Sequence, residues 1–253
     1  MSANLIIIQA RLSSTRLPGK VLMPFDENQC LLDLQLNKIK ALGVPFVLAI
    51  TTNPSDDALV TWAEVHKVKV FRGSENDVLD RFVACAKAFN AKHLIRVCSD
   101  NPFVQLDEVN HYLNQLSTGT DYISFCNSQQ VPAIKTHWGL YVEGVRLSAL
   151  TKAQELLQGH PDKKFYSEHV TNFIYGHPEQ FQVKLMEAPE IVKDRNDLRF
   201  TIDTPEDFEN MQRMYQTIEK EGGDFSLESL VKTSDAYPEI KEVMGEGIAR
   251  FSK

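Results

Sequence analysis

The stretch LIIIQARLSSTRLPGK, residues 5–20, decides how the fold of this chain begins. A run of apolar, mostly β-branched residues is followed by three cations, Arg11, Arg16 and Lys20. Short apolar runs of about four to eight residues bounded by turn signals are typical of buried strands, and the Pro-Gly pair before the lysine favours a turn. The sequence therefore predicts a first strand that leads directly into a basic loop.

The composition is typical of a globular protein. The chain has 253 residues, of which 43% are hydrophobic, and a formal net charge of −7 at pH 7. This acidic balance disfavours nucleic acid as a partner, so the basic loop is expected to serve a local anion site. The first apolar run is too short for a membrane span and lacks the cleavage pattern of a signal peptide. We therefore expect a cytoplasmic protein without a membrane partner.

The cysteines indicate neither a zinc site nor a disulfide framework. They are widely spaced and include no C-x-x-C pair. Zinc sites and disulfide-rich domains usually show closely spaced, patterned cysteines. Reduced structural thiols are therefore expected at all four positions, which are Cys30, Cys85, Cys98 and Cys126.

Short β-rich runs alternate with helical patterns along most of the chain. The predicted strands are NLIIIQ, FVLAITT, KVKVF, HLIRVCS and DYISF, with two later strands in HWGLYVEGV and LRFTID. Helices are expected near residues 31–42, 56–66, 77–90, 146–158 and 165–175. Repeated strand–helix–strand units produce right-handed crossovers and a mostly parallel sheet covered by helices on both faces. The predicted class is α/β, a three-layer sandwich with a mostly parallel mixed sheet.

The chain shows no internal repeat, low-complexity segment or Pro/Gly-rich linker. Domain boundaries normally fall in such linkers. We therefore expect a single domain over residues 1–253, with an embellished C-terminal half over approximately residues 126–253.

Two aspartates follow predicted strands. Asp100 comes after HLIRVCS, and Asp203 ends LRFTID just before Thr204, a typical helix N-cap. Ligands of open α/β sheets bind beyond the carboxyl ends of the strands. Two carboxylates at the same edge as a basic loop are the groups that a metal-bound nucleoside triphosphate requires. The alternatives are an Asx turn at Asp100, a helix-dipole role for Asp203 and a solvated loop whose cations pair with surface acids.

The basic loop does not match a Walker P-loop. That motif requires Gly at the position of Ser14 and Ser or Thr at the position of Val21.

Two helical segments also carry polar residues with both structural and functional interpretations. Asp77 and Arg81 are one helical turn apart and can form an ion pair. His169 lies on an amphipathic segment, where a lone histidine is more often a structural residue than a catalyst.

Four segments together resemble a known family. They are IIQARLSSTRLPGKVL, FRGSENDVLDRF, SEHVTNFI and LRFTIDTPEDF, and the resemblance extends from about residue 4 to about residue 215. In this order they resemble the signatures of the spore coat polysaccharide biosynthesis protein F family, a branch of the cytidylyltransferases. The opening pattern is also similar to that of the sugar-acid cytidylyltransferases, such as the 3-deoxy-manno-octulosonate and acylneuraminate enzymes. The resemblance implies a nucleotide-diphospho-sugar transferase fold that binds CTP over the strand ends, with Mg²⁺ as cofactor.

The resemblance also assigns roles to residues. It implies that Lys20, Arg16 and Asp100 are catalytic, and that Asp100 and Asp203 hold the metal. The nucleotide-binding candidates are Arg11, Ser14, Arg16, Lys20 and Arg81. The acceptor-binding candidates are Tyr141, Glu143 and His169. The sequence departs from the family pattern at Ser99, where Gly is usual, and at Tyr141, where the family has a carboxylate.

The expected reaction is transfer of CMP from CTP to a sugar or sugar-acid acceptor with release of pyrophosphate, for surface polysaccharide or glycan biosynthesis. A glycosyltransferase of the same fold is the first alternative, although such enzymes usually present an Asp-x-Asp pair and SDNP has a single Asp. A non-catalytic member that only binds nucleotide is the second. The expected partners are CTP and a small acceptor, and a homodimer is left open.

Overall fold

A seven-stranded sheet forms the centre of the computed structural model, which describes residues 3–251. The strands are β1 (Asn4–Gln9), β2 (Phe46–Thr51), β3 (Val70–Gly73), β4 (His93–Cys98), β5 (Tyr122–Cys126), β6 (Glu143–Arg146) and β7 (Val183–Glu187). Their order is β3-β2-β1-β4-β6-β5-β7. Of these strands, only β6 runs antiparallel to its neighbours, β4 and β5. The prediction of a mostly parallel mixed sheet is therefore confirmed.

Helices cover both faces of the sheet. They are α1 (Leu31–Ala41), α2 (Asp57–Val65), α3 (Val78–Ala88), α4 (Val109–Ser117), α5 (Leu147–Leu156), α6 (Lys163–Glu168), α7 (Asn172–Tyr175), α8 (Pro205–Lys220), α9 (Leu227–Ala236) and α10 (Pro238–Arg250). Successive side chains of a strand point to opposite faces. Ile6 and Ile8 of β1 accordingly join the core formed with α1, α4 and α8, whereas Leu5 and Ile7 join the core formed with α3 and α5. No helix among the described residues is long and apolar enough to cross a membrane.

The predicted helices α1, α2, α3 and α5 form close to their expected positions. The helix expected over residues 165–175 is instead interrupted between α6 and α7. The β-branched residues Val170 and Thr171, which have low helix propensity, lie at the interruption, and both are buried. The strand expected in KVKVF starts only at Val70, and that expected in HWGLYVEGV forms only from Glu143 onward.

The prediction of a strand over LRFTID is wrong. Residues 198–203 are extended but belong to no strand. The amide of Phe200 donates to the carbonyl of Trp138 at 3.3 Å, and that of Ile202 donates to the carbonyl of Asp100 at 2.9 Å. Because these partners lie in loops, no strand ladder forms. The last strand is instead β7, which the sequence pattern did not indicate, and LRFTID crosses the loop that follows β4.

Candidate active site

A cleft of about 630 Å³ lies at the carboxyl ends of β1 and β4. The loops that follow these two strands line it, together with residues from 133–141 and the end of LRFTID. Parallel neighbouring strands place the loops that follow them at the same sheet edge, which is why segments far apart in sequence meet here. The cleft brings together these sequence-predicted residues: Arg11, Ser14, Arg16, Lys20, Asp100, Tyr141 and Asp203.

Lys20 lies between the two aspartates. It follows Gly19, whose φ of 75° lies in the left-handed region that glycine adopts readily. Its Nζ donates to Asp100 Oδ2 at 3.2 Å and to the carbonyl of Ile202, and lies 3.9 Å from Asp203 Oδ1. The residue is only 8% exposed. The ammonium group is therefore held by oxygens on one side of the cleft and is largely removed from bulk water.

Asp203 is surrounded by cations. Its Oδ1 accepts from Arg16 at 2.6 Å, and its Oδ2 accepts from Arg199 at 2.8 Å. Burial alone would raise the pKa of Asp203, but the hydrogen bond from Arg199 and the charges of Lys20 and Arg16 outweigh it. The net effect lowers the pKa of Asp203 below its ordinary value of 3.8. Asp203 is therefore ionised at neutral pH.

Arg199 links the carboxylate of Asp203 to Asp207 in helix α8. It is 1% exposed, and its Nε and Nη2 donate to the two carboxylate oxygens of Asp207, each at 3.0 Å. Asp207 also accepts from the backbone amides of Asp203 and Thr204. The Thr204 hydroxyl in turn accepts from the amide of Asp207, which confirms Thr204 as the N-cap of α8. This network holds the backbone of Asp203 in place.

The carboxylates of Asp100 and Asp203 are ligands of the type that a magnesium ion prefers. Both carboxylates approach the same ammonium group, at 3.2 and 3.9 Å, so they face a shared space. Mg²⁺ is usually held by one or two carboxylates, with substrate phosphates and water completing the shell. In the part of the chain that the structure describes, no cluster of three or more His, Cys, Asp or Glu side chains is placed to hold a metal. The remaining ligands would therefore come from the nucleotide and water.

Glu143, an acceptor-binding candidate, does not line the cleft. It is 2% exposed, and its carboxylate accepts from the hydroxyls of Tyr122 and Thr171, each at 2.7 Å. Arg96 donates to it at 2.6 Å, and Arg96 lines the cleft together with Gln9. Arg96 of β4 therefore faces the cleft. Glu143 of β6 is buried and holds Arg96 from the core side.

Arg81, a nucleotide-binding candidate, is also buried away from the cleft. It is 1% exposed, and its Nη1 donates to the carbonyl of Ser74 at 2.8 Å. Burial and the nearby charge of Arg11 lower the pKa of Arg81 to about 10. Asp77 does not form the expected ion pair with Arg81, because its carboxylate caps α3 by accepting from the amide of Asp80 at 2.8 Å. The structure thus places Arg81 behind the basic loop.

His169, the third acceptor-binding candidate, lies outside the cleft. It is exposed at the end of α6, and its ring lies 4.7 Å from that of Phe165, measured between centroids. The predicted helix is interrupted at this residue, so His169 is not part of one continuous helix face. The structure does not bring His169 together with the other candidates.

Tyr141 lies at the border of two cavities. It lines the large cleft and a side cavity of about 110 Å³. Its ring packs against Phe125, with centroids 4.5 Å apart, and contacts the edge of Trp138. Its buried hydroxyl has no hydrogen-bond partner among residues 3–251, and burial raises its pKa well above the ordinary value. Tyr141 therefore combines a packed ring with an unpaired polar group.

Sequence reasoning missed four residues of the site. They are Arg96, Arg199, Arg250 and Phe251. A charged residue inside an otherwise apolar strand, as in HLIRVC, and the four-residue spacing of Arg199 from Asp203 are signals that could have identified the first two. The other two lie at the end of α10, far from any recognised motif, and only the fold brings them to the cleft.

Known proteins are similar to this chain over nearly its whole length. The model of the family described as cytidylyltransferase matches residues 5–225. The spore coat polysaccharide biosynthesis protein SpsF of Bacillus subtilis is 34% identical over 246 residues, which cover 94% of this chain and 97% of that protein.

Solved structures share the fold. A cytidylyltransferase from Leptospira borgpetersenii superimposes with a TM-score of 0.77 at 26% identity, covering 95% of this chain and 97% of that one. A CMP:2-keto-3-deoxy-manno-octonic acid synthetase complexed with CTP has a TM-score of 0.60 at 14% identity, covering 85% of this chain and 99% of that one. At that identity the second likeness supports the fold alone. The expected nucleotide-diphospho-sugar transferase fold is confirmed.

Proposed function

Because this chain belongs to the cytidylyltransferase family, we propose that it transfers CMP from CTP to a small sugar or sugar-acid acceptor and releases pyrophosphate. One observation carries the proposal. The cations of the basic loop, Arg11, Arg16 and Lys20, line the same cleft as the carboxylates Asp100 and Asp203. Converging cations suit a triphosphate, and paired carboxylates suit the divalent cation that accompanies it.

In this reaction an oxygen of the acceptor attacks the α-phosphorus. A new P–O bond forms, the bond to the bridging oxygen of the β-phosphate breaks, and pyrophosphate leaves with that electron pair. The protein contributes mainly by positioning the reactants and by placing fixed charges where negative charge develops. A partly desolvated and tightly held ammonium, such as that of Lys20, needs little reorganisation to do so.

Each cleft residue has a distinct task in this proposal. Lys20 and Arg16 donate hydrogen bonds to the phosphate oxygens, and Arg11 and Ser14 complete the loop around the nucleotide. Asp100 and Asp203 would hold Mg²⁺, which when bound neutralises phosphate charge. Arg16 pairs with Asp203 through Nη2 at 2.6 Å, and the remaining donors of its guanidinium would meet the triphosphate without a large movement of the side chain.

The acceptor side is proposed to involve Arg96 and Tyr141 instead of Glu143 and His169. Arg96 and Tyr141 line the cleft, whereas Glu143 is enclosed by its hydrogen-bond partners. The product would be an activated sugar of the kind consumed in polysaccharide synthesis, the process named for the relative from Bacillus subtilis.

The test has two stages. Calorimetric titration with CTP, ATP, GTP and UTP in the presence of Mg²⁺ should show a clear preference for CTP, and thermal melts should agree, because a ligand at about 100 times its Kd adds about 2.7 kcal/mol of apparent stability. Pyrophosphate release is then measured with a panel of neutral sugars and sugar acids.

Release with any acceptor in the panel supports the transfer reaction. CTP binding with no release from any acceptor favours a non-catalytic nucleotide-binding protein. Preferential binding of a nucleotide-sugar, with transfer of the sugar, favours a glycosyltransferase. Absence of CTP binding contradicts the proposal as a whole.

A further inference from the structure

The last helix, α10 (Pro238–Arg250), reaches the cleft although it lies beyond residue 225, where the match to the family ends. It packs against α8 and α9. Its final residue, Arg250, and the following Phe251 both line the cleft. A segment outside the matched region therefore forms part of the wall of the candidate nucleotide site.

Gly247 allows α10 to pack directly against Arg199 and Asp207. A Cβ at Gly247 would come within 2.7 Å of Arg199 Nε, 2.8 Å of Arg199 Cδ and 3.1 Å of Asp207 Oδ1. The first two distances are too short for any side chain larger than hydrogen without displacement of the buried arginine. The helix backbone thus rests against the same Arg199 that holds Asp203.

Phe251 contacts two arginines of the site with one ring. The guanidinium carbon of Arg16 lies 4.6 Å from the ring centroid, and that of Arg199 lies 5.2 Å from it. Both distances are within the range of a cation–π interaction. The Arg16 side chain is 50% exposed, whereas Arg199 is enclosed. Arg16 is therefore the side chain whose freedom the ring restricts, because Arg199 is already fixed by its carboxylates.

We propose that Phe251 is a positioning residue for Arg16, and that α10 thereby forms one wall of the triphosphate subsite. The proposal rests on the proposed function, since it assigns Arg16 to the phosphates of CTP. An exposed arginine loses rotamer freedom when it binds, and a ring that already confines it lowers that entropic cost. Arg250, also at this rim and 3.8 Å from Glu206, places a further cation beside the same subsite.

The experiment compares Phe251→Ala and Phe251→Leu with Phe251→Tyr. Calorimetric titrations with CTP and with CMP are run on each variant and on the wild type. Loss of the aromatic face should weaken CTP binding about threefold to tenfold, because the ring faces two guanidinium groups. CMP lacks the β- and γ-phosphates, so its affinity should change less than about twofold. The tyrosine variant should bind CTP like the wild type, because its ring keeps the π face.

The Phe251→Leu variant separates the effect of the ring on the position of Arg16 from its effect on packing. It keeps an apolar side chain beside Arg16 and Arg199 but has no π face, so it should resemble alanine in CTP binding while melting like the wild type. Phe165→Ala is the matched control, since Phe165 is an exposed aromatic residue, 49% accessible, that does not line the cleft.

Wild-type CTP affinity in both Phe251→Ala and Phe251→Leu would overturn this proposal while leaving the proposed function intact. Equal weakening of CTP and CMP would also overturn it, because Phe251 would then support the site only structurally. A wild-type chain that binds no CTP would overturn the proposed function, and this proposal would fail with it.

Discussion

The guanidinium of Arg16 lies 2.6 Å from the carboxylate of Asp203, across 187 positions of sequence. Arg16 is half-exposed, whereas Asp203 is mostly buried and also held by Arg199. The cleft therefore carries its own counter-ions, and an incoming polyanion would compete with Asp203 for Arg16. The loop and the aspartate therefore form one electrostatic unit at the cleft.

Replacing Lys20 or Arg16 with alanine should weaken CTP binding at least about tenfold. Each replacement removes charge-assisted hydrogen bonds worth about 1.5 to 3 kcal/mol. CMP should lose far less, because it lacks the phosphates that these side chains are proposed to contact. Calorimetric titration with both nucleotides checks this, with Lys193→Ala as a control at a lysine outside the cleft. Equal losses for the two nucleotides would show that the loop does not bind the triphosphate tail.

Replacing Asp100 or Asp203 with asparagine should lower turnover by about 10²- to 10³-fold if the two carboxylates share one metal. Pyrophosphate release measures the effect, and melting temperatures verify the fold. Asp100→Asn is the cleaner variant, because Asp203 is also held by the buried Arg199. The double variant should be little slower than the slower single variant. Losses that multiply would indicate independent roles.

Glu143→Ala should destabilise the fold by about 3 to 5 kcal/mol, because it leaves the buried guanidinium of Arg96 without its carboxylate. For a chain of this size about 2 to 4 °C of melting temperature is lost per kcal/mol. Glu190→Ala is the matched control. Glu190 also forms an ion pair, with Lys193, but its side chain is 87% exposed. Similar melting temperatures for the two variants would contradict the buried role of Glu143.

Tyr141→Phe should leave the melting temperature unchanged or raise it, because the hydroxyl that it removes is buried without a hydrogen-bond partner in the described part of the chain. Tyr141→Asp should lower it by many degrees, because a carboxylate would replace a ring packed against Phe125. CTP affinity of Tyr141→Phe should stay within about twofold of the wild type, a change of less than about 0.5 kcal/mol. Pyrophosphate release across the acceptor panel then tests whether Tyr141 selects the acceptor. An unchanged acceptor profile in Tyr141→Phe would limit its role to packing.

Arg195→Gln should destabilise the protein at neutral pH, and this effect should begin to shrink as the pH falls below about 3.8. Hydrogen bonds from Arg195 lower the pKa of both Asp197 and Asp235 below the ordinary value of 3.8. A carboxylate with a lowered folded-state pKa stabilises the fold above its unfolded-state pKa, and this contribution is lost as the pH falls through the folded-state value. The gap in melting temperature between variant and wild type should therefore narrow from pH 7 to pH 3. A gap of constant size would show that the arginine acts through packing alone.

Much of the architecture was predictable because it depends on local patterns. The apolar run of β1 and the periodic faces of α1 and α3 depend on neighbours in sequence, as does the Thr204 cap. LRFTID shows the limit of this reasoning. Its alternating apolar residues match a strand, but strand formation also requires a neighbouring edge, and its amides instead donate to loop carbonyls of Trp138 and Asp100.

The residues of the candidate site also divide into those that the sequence places correctly and those that it misplaces. The residue types and their positions after β1 and β4 predicted Lys20 and Asp100 at the cleft, because the end of a parallel strand is a place that sequence can indicate. Asp203 also lines the cleft, although the strand predicted before it does not form. The family resemblance assigned Arg81 and Glu143 to the site, yet both are buried, since a charged side chain can be directed into the core when a partner there satisfies it.

The sequence by itself determined the α/β class, the basic loop after β1 and the aspartate after β4, because each follows from the order and spacing of residues along the chain. Only the tertiary structure decided that Arg16 pairs with Asp203, that Arg96 and not Glu143 faces the cleft, and that Phe251 covers Arg16. These contacts join residues far apart in sequence, and they depend on helix packing and side-chain direction. No local pattern encodes either of these.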